Sequence, residues 1–218
     1  MGKRKGLLII LLFFLLAGCT LAPPIRQEVK PDLSLPVGKI EGNQFTGIRY
    51  PFNVSAPLNW KVSMEFPRFM LDLGYDKEGL ERSQVFIFNV STRSNIQIDF
   101  EPAGQYLKAS QQMIDNLTSM ATGSLLSEFE NEYGANYKEK LQLGMGPLEQ
   151  LRLKGVPFAA KKYVTYNLKG MKREQGWIYA FAEPYQIFIL YVLFDREGSN
   201  DRQDMRAILD SFEVVPKK

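Results

Sequence analysis

Apolar positions divide the chain into three stretches. Residues 7–16 form an unbroken apolar run, preceded by Lys3, Arg4 and Lys5 and followed by Ala17-Gly18-Cys19. Residues 20–42 show no apolar period and are interrupted by Pro23, Pro24, Pro31 and Pro36, so they read as a tether. From Phe45 onward the periods are those of a folded domain. Ile48, Tyr50, Phe52 and Val54 alternate with polar or small residues, which predicts a strand, at an edge or bulged because Pro51 lies within it. Short strands are also predicted over 60–64 and 69–73. Two more, over 85–90 and 95–100, are joined by the polar turn 91–94.

After Pro102 the period lengthens to that of a helix. Tyr106, Ser110, Met113, Ile114, Leu117, Met120 and Ala121 share one face, predicting a helix over 105–122 that ends at Gly123, with a short second one from Leu125. Gly144, Gly146 and Pro147 read as a hinge. Strands then follow over 148–153, 158–168, 175–182 and 186–194, with turns at Lys154-Gly155, Gly170 and Glu183-Pro184. Residues 187–194 are apolar on both faces, which predicts a central strand covered on both sides. A helix over 200–211, capped by Ser199 or Asn200, turns Met205, Ile208, Leu209 and Phe212 inward, and a short last strand follows at 212–215. Four consecutive strands without an intervening helix exclude a doubly wound sheet. The pattern predicts an α+β fold with a mainly antiparallel sheet covered by helices.

The amino-terminal run is too short to span a bilayer, which needs about 20 apolar residues. Its basic start, apolar middle and small residues predict a secretory signal peptide over 1–18. Leu16-Ala17-Gly18-Cys19 resembles the lipobox of bacterial lipoproteins. The resemblance implies cleavage before Cys19, diacylglycerol on its sulfur and acylation of the new amino terminus. At about 0.8 kcal/mol per buried methylene, such chains give a lasting membrane anchor. Thr20 stands where an aspartate would resemble the inner-membrane retention signal of Gram-negative lipoproteins. That implies the outer membrane, with the protein facing the periplasm. The expected division is a signal peptide at 1–18, a lipidated terminus and Pro-rich tether at 19–44, and one globular domain at 45–218.

Charge and composition narrow the chemistry. The formal charge of +3 belongs to the signal peptide, since removing Lys3, Arg4 and Lys5 from the 27 basic residues leaves them equal to the 24 acidic ones. No positive field remains, and nucleic acid is not expected as a partner. Cys19 is the only cysteine, so the domain depends on its core, for which about 175 residues suffice. The chain has no histidine, which removes His-based catalysis and nearly all zinc sites. Ser-x-x-Lys, Gly-x-Ser-x-Gly and phosphate-binding glycine loops do not occur. Asp72, Asp76 and Glu78 lack the dense spacing of a calcium loop, and no spacing nominates a catalytic carboxylate pair. Neither an enzyme nor a cofactor is expected.

The element order is similar to that of the PsbP-like superfamily, which includes photosystem II PsbP and the bacterial DcrB group. The residues that carry the resemblance are Tyr50-Pro51-Phe52, Pro57, Trp60, the helix over 105–122, the hairpins up to 194 and Ser211-Phe212, across roughly 45–215. It implies an α-β-α sandwich serving as a binding or scaffolding module, without shared catalytic residues. The expected function is therefore a lipid-anchored, non-enzymatic accessory or scaffold for an envelope partner. The alternatives are a periplasmic carrier or sensor of a small apolar ligand held between helix and sheet, and a carboxylate-based hydrolase. Two surfaces are candidates. Lys169, Met171, Lys172 and Arg173 offer a partner or headgroup contact, or only a solubilising turn. Tyr166 and Trp177 line a groove if a helix leaves part of the sheet open, and are core otherwise.

Overall fold

The computed structural model describes residues 30–104, 109–196 and 198–215. The expected signal peptide, Cys19, the first part of the tether (up to residue 29) and Tyr106 lie outside them. Strand pairing begins before the alternation at Phe45. β1 (Gly38–Glu41) and β2 (Gln44–Gly47) form a hairpin, and β2 pairs with β3 (Phe52–Ser55). The boundary expected between 44 and 45 thus falls inside a sheet, and 38–44 belong to the domain. The strand expected from Ile48 to Val54 is broken at 48–51, where the chain turns back; Ile48 is exposed, and Tyr50 enters the core from the bend.

β4 (Trp60–Ser63) follows as predicted, but 69–73 are not a strand. They form the helical turn α1 (Phe69–Asp72), followed by α2 (Lys77–Arg82), whose N-cap Asp76 accepts from the Gly79 N–H at 2.8 Å. The run Phe-Met-Leu-Asp-Leu has no period of two, and its Met70 packs with Leu80 and Phe86. β5 (Val85–Asn89) and β6 (Asn95–Pro102) match expectation.

α3 (Gln111–Tyr133) is one helix of 23 residues that passes through Gly123. Its buried stripe is Ile114, Thr118, Thr122, Leu125 and Phe129, whereas Met120, expected inward, is exposed. Thr118 and Thr122 enter the core because their hydroxyls donate to the carbonyls of Ile114 (2.7 Å) and Thr118 (3.4 Å), one turn back. α4 (Tyr137–Lys140) and β7 (Gly144–Met145) come next. Gly146 is not a hinge: its N–H donates to the Tyr163 carbonyl at 2.8 Å, and a Cβ there would overlap the Tyr163 ring. β8 keeps only Glu149–Gln150 of the strand expected over 148–153. β9 (Phe158–Leu168), β10 (Met171–Ala182) and β11 (Tyr185–Phe194) form a meander, closed by α5 (Asp201–Ser211) and β12 (Glu213–Val214).

Every pairing between the named strands is antiparallel, and a single parallel bridge joins Lys154 to Glu213. The large sheet runs β4-β5-β6-β11-β10-β9-β7, with β8 also on β9, and the small one runs β1-β2-β3-β12. The expected α+β class, with an antiparallel sheet between helices, is the one observed. One face differs in make-up: the inner face of the large sheet is covered by α5 together with the small sheet. There Ile96, Ile98, Phe100, Ile187 and Ile189 pack on Phe45, Phe52, Val54, Met205 and Ile208, and the Phe52 and Phe100 rings stack at 4.3 Å. On the outer face α3 covers β9 and β10, while α1 and α2 cover β5. The strip between them, over β6 and β11, stays open. β11 is central as predicted, yet its outward Phe188 and Leu190 are only half-buried.

Candidate functional site

Of the two alternatives for Tyr166 and Trp177, groove or core, the structure places both residues in the core. Both rings are buried beneath α3 and α4, packed with Leu125, Phe129, Tyr137 and Leu141. α3 covers them because it continues past Gly123 and brings Phe129 within 4.9 Å of the Tyr166 ring. The basic turn is divided in the same way. Lys169 and Gly170 adopt positive φ (55° and 76°) at the tip of the β9–β10 hairpin, with Lys169, Met171 and Lys172 exposed. Lys172 pairs with Asp195 at 3.2 Å. Arg173 does not join the exposed cations: it is buried, with its guanidinium 5.1 Å from the Phe194 ring centre. Strand alternation turns it to the outer face, beside Tyr166.

Two of the clefts among the described residues lie on opposite faces of the large sheet. The inner cleft, about 590 Å³, lies between α5 and the β8–β9–β10 edge. Glu174 of β10 is buried at its base and accepts three bonds: from the Tyr191 hydroxyl (3.0 Å), Arg202 Nε (3.1 Å) and Arg202 Nη2 (2.7 Å). The Glu174 carboxylate pushes the Arg202 guanidinium further up, and burial, reinforced by Glu174, raises the Tyr191 phenol. Nearer the mouth, Lys161 pairs with Glu149 at 2.9 Å and stands 5.5 Å from the Tyr163 ring centre. Arg152 and Arg206 also line the cleft, exposed and without a hydrogen bond or ion pair among the described residues. The carboxylates of Glu149 and Glu174 are thus each committed to a cation, while two guanidiniums and the carboxylate of Asp210, which also lines the cleft, have no partner among the described residues.

The outer cleft, about 400 Å³, is the open strip between α2 and the sheet. Tyr179, Phe188 and Leu190 supply an apolar floor, with the first two rings 4.8 Å apart. Gln97 and Asp99 of β6 bring polar groups to it. Gln97 Nε2 and Asp99 Oδ1 are buried and have no hydrogen-bond partner among the described residues. Burial pushes the Asp99 carboxyl up to about 6, against the opposing pull of the Ser83 hydroxyl, with Glu101 adding to the rise and Arg82 reducing it. Asp99 and Glu101 are two residues apart on one face of one strand, roughly 7 Å at the backbone.

Gln97 and Asp99 carry a signal in the sequence. Asn95, Gln97 and Asp99 alternate with Ile96, Ile98 and Phe100. A polar row of this kind normally faces water, but β6 pairs with β11, whose two faces are both apolar. Arg152 and Arg206 had none, because only the packing of α5 on the sheet brings them to one mouth.

Among the described residues, no group of histidine, cysteine, aspartate and glutamate is placed to hold a metal ion, and no helix is long and apolar enough to cross a membrane. No protein-family model matches the sequence, and no curated protein does. Among solved structures the chain is similar to a protein of Bacteroides thetaiotaomicron, at a TM-score of 0.46 and 10% identity over 82% of this chain. That match spans 50% of the Bacteroides protein's length. It is also similar to the cyanobacterial PsbP (CyanoP) of Synechocystis, with TM-score 0.43, 11% identity, and 83% and 99% of the two chains covered. A third is LpqN, involved in cell envelope biogenesis of Mycobacterium tuberculosis, with TM-score 0.44, 10% identity, and 76% and 83% covered.

Proposed function

We propose that this chain is a non-enzymatic binding module of the cell envelope, moored by lipid on Cys19 to the outer membrane and facing the periplasm. Its inner cleft receives an anionic group of an envelope partner. The observation that carries this reading is the division of charge in that cleft. Lys161 and Arg202 are spent on Glu149 and Glu174, which leaves Arg152 and Arg206 free to form paired bonds to a carboxylate or phosphate. Glu149 and Glu174, held in ion pairs, are not free to move a proton, and the two free guanidiniums outnumber the one unpaired carboxylate, Asp210.

The test is crosslinking in native membranes followed by mass spectrometry, for the wild type and an Arg152→Glu/Arg206→Glu variant. The mature chain is expected to begin at an acylated Cys19 in both, with a partner crosslinked near the cleft only in the wild type. A chain that still begins at Met1 with a free thiol sinks the mooring, and identical crosslinks in both proteins sink the cleft. A second reading, a carrier or sensor of a small ligand held between helix and sheet, draws on the half-buried Tyr179, Phe188 and Leu190 of the outer cleft.

A further inference from the structure

The outer cleft has a recognisable chemistry of its own. Its floor offers two aromatic rings and a leucine, half-buried where the helices leave the sheet open. From β6, Gln97 and Asp99 line this space, with their unpartnered Nε2 and Oδ1 atoms themselves covered. Gln97 is only 6% exposed, and neither Nε2 nor Oδ1 finds a partner among the described residues. A buried donor or acceptor left unmade costs about 1–3 kcal/mol. A ligand that meets both groups recovers that cost.

Charge selects the kind of ligand. Asp76, Asp99 and Glu101 line the cleft against the single cation Arg82. A carboxylate or phosphate would be repelled there, in contrast to the inner cleft with its free arginines. A cation is attracted, and the faces of Tyr179 and Phe188 add to the attraction. We propose that the outer cleft binds a small organic ammonium ion with an apolar body and an oxygen acceptor beside its charge. The Asp99 carboxylate and the Gln97 side-chain amide turn toward the cleft, where the ammonium donates to the carboxylate, the oxygen accepts from the amide, and the apolar body covers Tyr179, Phe188 and Leu190. Asp99 behaves as a buried carboxylate short of a counter-ion, held up near 6 by desolvation, and the ammonium supplies that counter-ion. This inference rests on the carrier reading of the outer cleft and is independent of the inner cleft.

The probes are phenylalaninol, which carries an ammonium, a hydroxyl and a phenyl ring, and 3-phenylpropan-1-ol, which lacks only the ammonium. The full ¹⁵N-labelled chain in nanodiscs of neutral lipid is titrated with each at pH 7.5, following the Gln97 side-chain amide and, in every variant, the backbone amides of Tyr179 and Phe188. Phenylalaninol is expected to shift that signal and to bind about tenfold or more tighter than phenylpropanol. Asp99→Asn should bring phenylalaninol down to the affinity of phenylpropanol, and Gln97→Leu should weaken both. Lowering the pH to 5 neutralises Asp99 while the ammonium stays charged, so wild-type binding of phenylalaninol weakens. Tyr75 and Asp76 ahead of α2, Arg82 from α2, Glu101 from β6 and Tyr179 from β10 face the same space, and the Asp99→Asn protein isolates the Asp99 contribution by losing this pH response. Equal binding of the two probes overturns the ammonium assignment and leaves the carrier reading standing. No shift with either probe overturns both.

Discussion

Asp201 gives the sharpest test of what holds the carboxyl-terminal helix to the sheet. It is the first residue of α5 and only 3% exposed. One carboxylate oxygen accepts from Asn89 Nδ2 at 2.9 Å, and the other from the Ser94 hydroxyl at 2.5 Å. Ser94 Oγ in turn accepts from the Phe194 N–H at 3.0 Å, so a single carboxylate joins the β5–β6 turn and the end of β11 to α5. Asp201→Ala removes two hydrogen bonds to an ionised acceptor, each about 1.5–3 kcal/mol, and strands buried donors on Asn89 and Ser94. Relief of the buried charge offsets part of this, leaving an expected loss of about 3–5 kcal/mol. Urea unfolding followed by tryptophan fluorescence measures it. Trp60 is fully buried and donates to Asp204 in the same helix at 2.9 Å, so it reports on the affected region. With m near ~2 kcal/mol/M, the midpoint should fall by about 1.5–2.5 M at unchanged m. Asp210→Ala, exposed on the same helix and unpaired among the described residues, should stay within about 0.5 kcal/mol of the wild type. An Asp201→Ala loss below about 1 kcal/mol, or one equal to that of Asp210→Ala, would refute the locking role.

Further outcomes follow from the same geometry. Gly176→Ala places a Cβ inside the Tyr191 ring on a central strand; a loss of about 1–3 kcal/mol is expected in thermal or urea unfolding. Asp99→Asn should stabilise the protein at neutral pH. Its folded-state carboxyl is raised above the unfolded value, so the group favours the folded state below about pH 4 and that contribution is lost as pH rises through about 6. Melting curves should therefore show a gain at pH 7.5, of order 1–3 kcal/mol, that disappears toward pH 4. Arg173→Ala should destabilise by about 1–2 kcal/mol because its guanidinium packs on Phe194, while Lys169→Ala at the hairpin tip should leave the melting temperature unchanged.

What could be read from the amino acids alone was whatever a local period records. The alternation in β5 and β6, the doubly apolar run that places β11 at the centre, and the inward Met205 and Ile208 of α5 each report which side of an element is apolar. Such a period carries no information about what stands opposite. The length of α3 went astray for that reason: Gly123 looked like an end, but Thr118, Thr122, Leu125 and Phe129 gain enough against the sheet to carry the helix through it. The same extension buried Tyr166 and Trp177 and decided for core over groove there.

The openings themselves belong to the tertiary structure. Gln97 and Asp99 occupy the ordinary polar side of an alternating strand until β6 pairs with β11 and the outer helices settle on either side of them. Arg152 and Arg206, more than fifty residues apart in the chain, reach one cleft only through the seating of α5 on the inner face. Burial and charge at those places arise from neighbours distant in sequence, and only the folded chain brings those neighbours together.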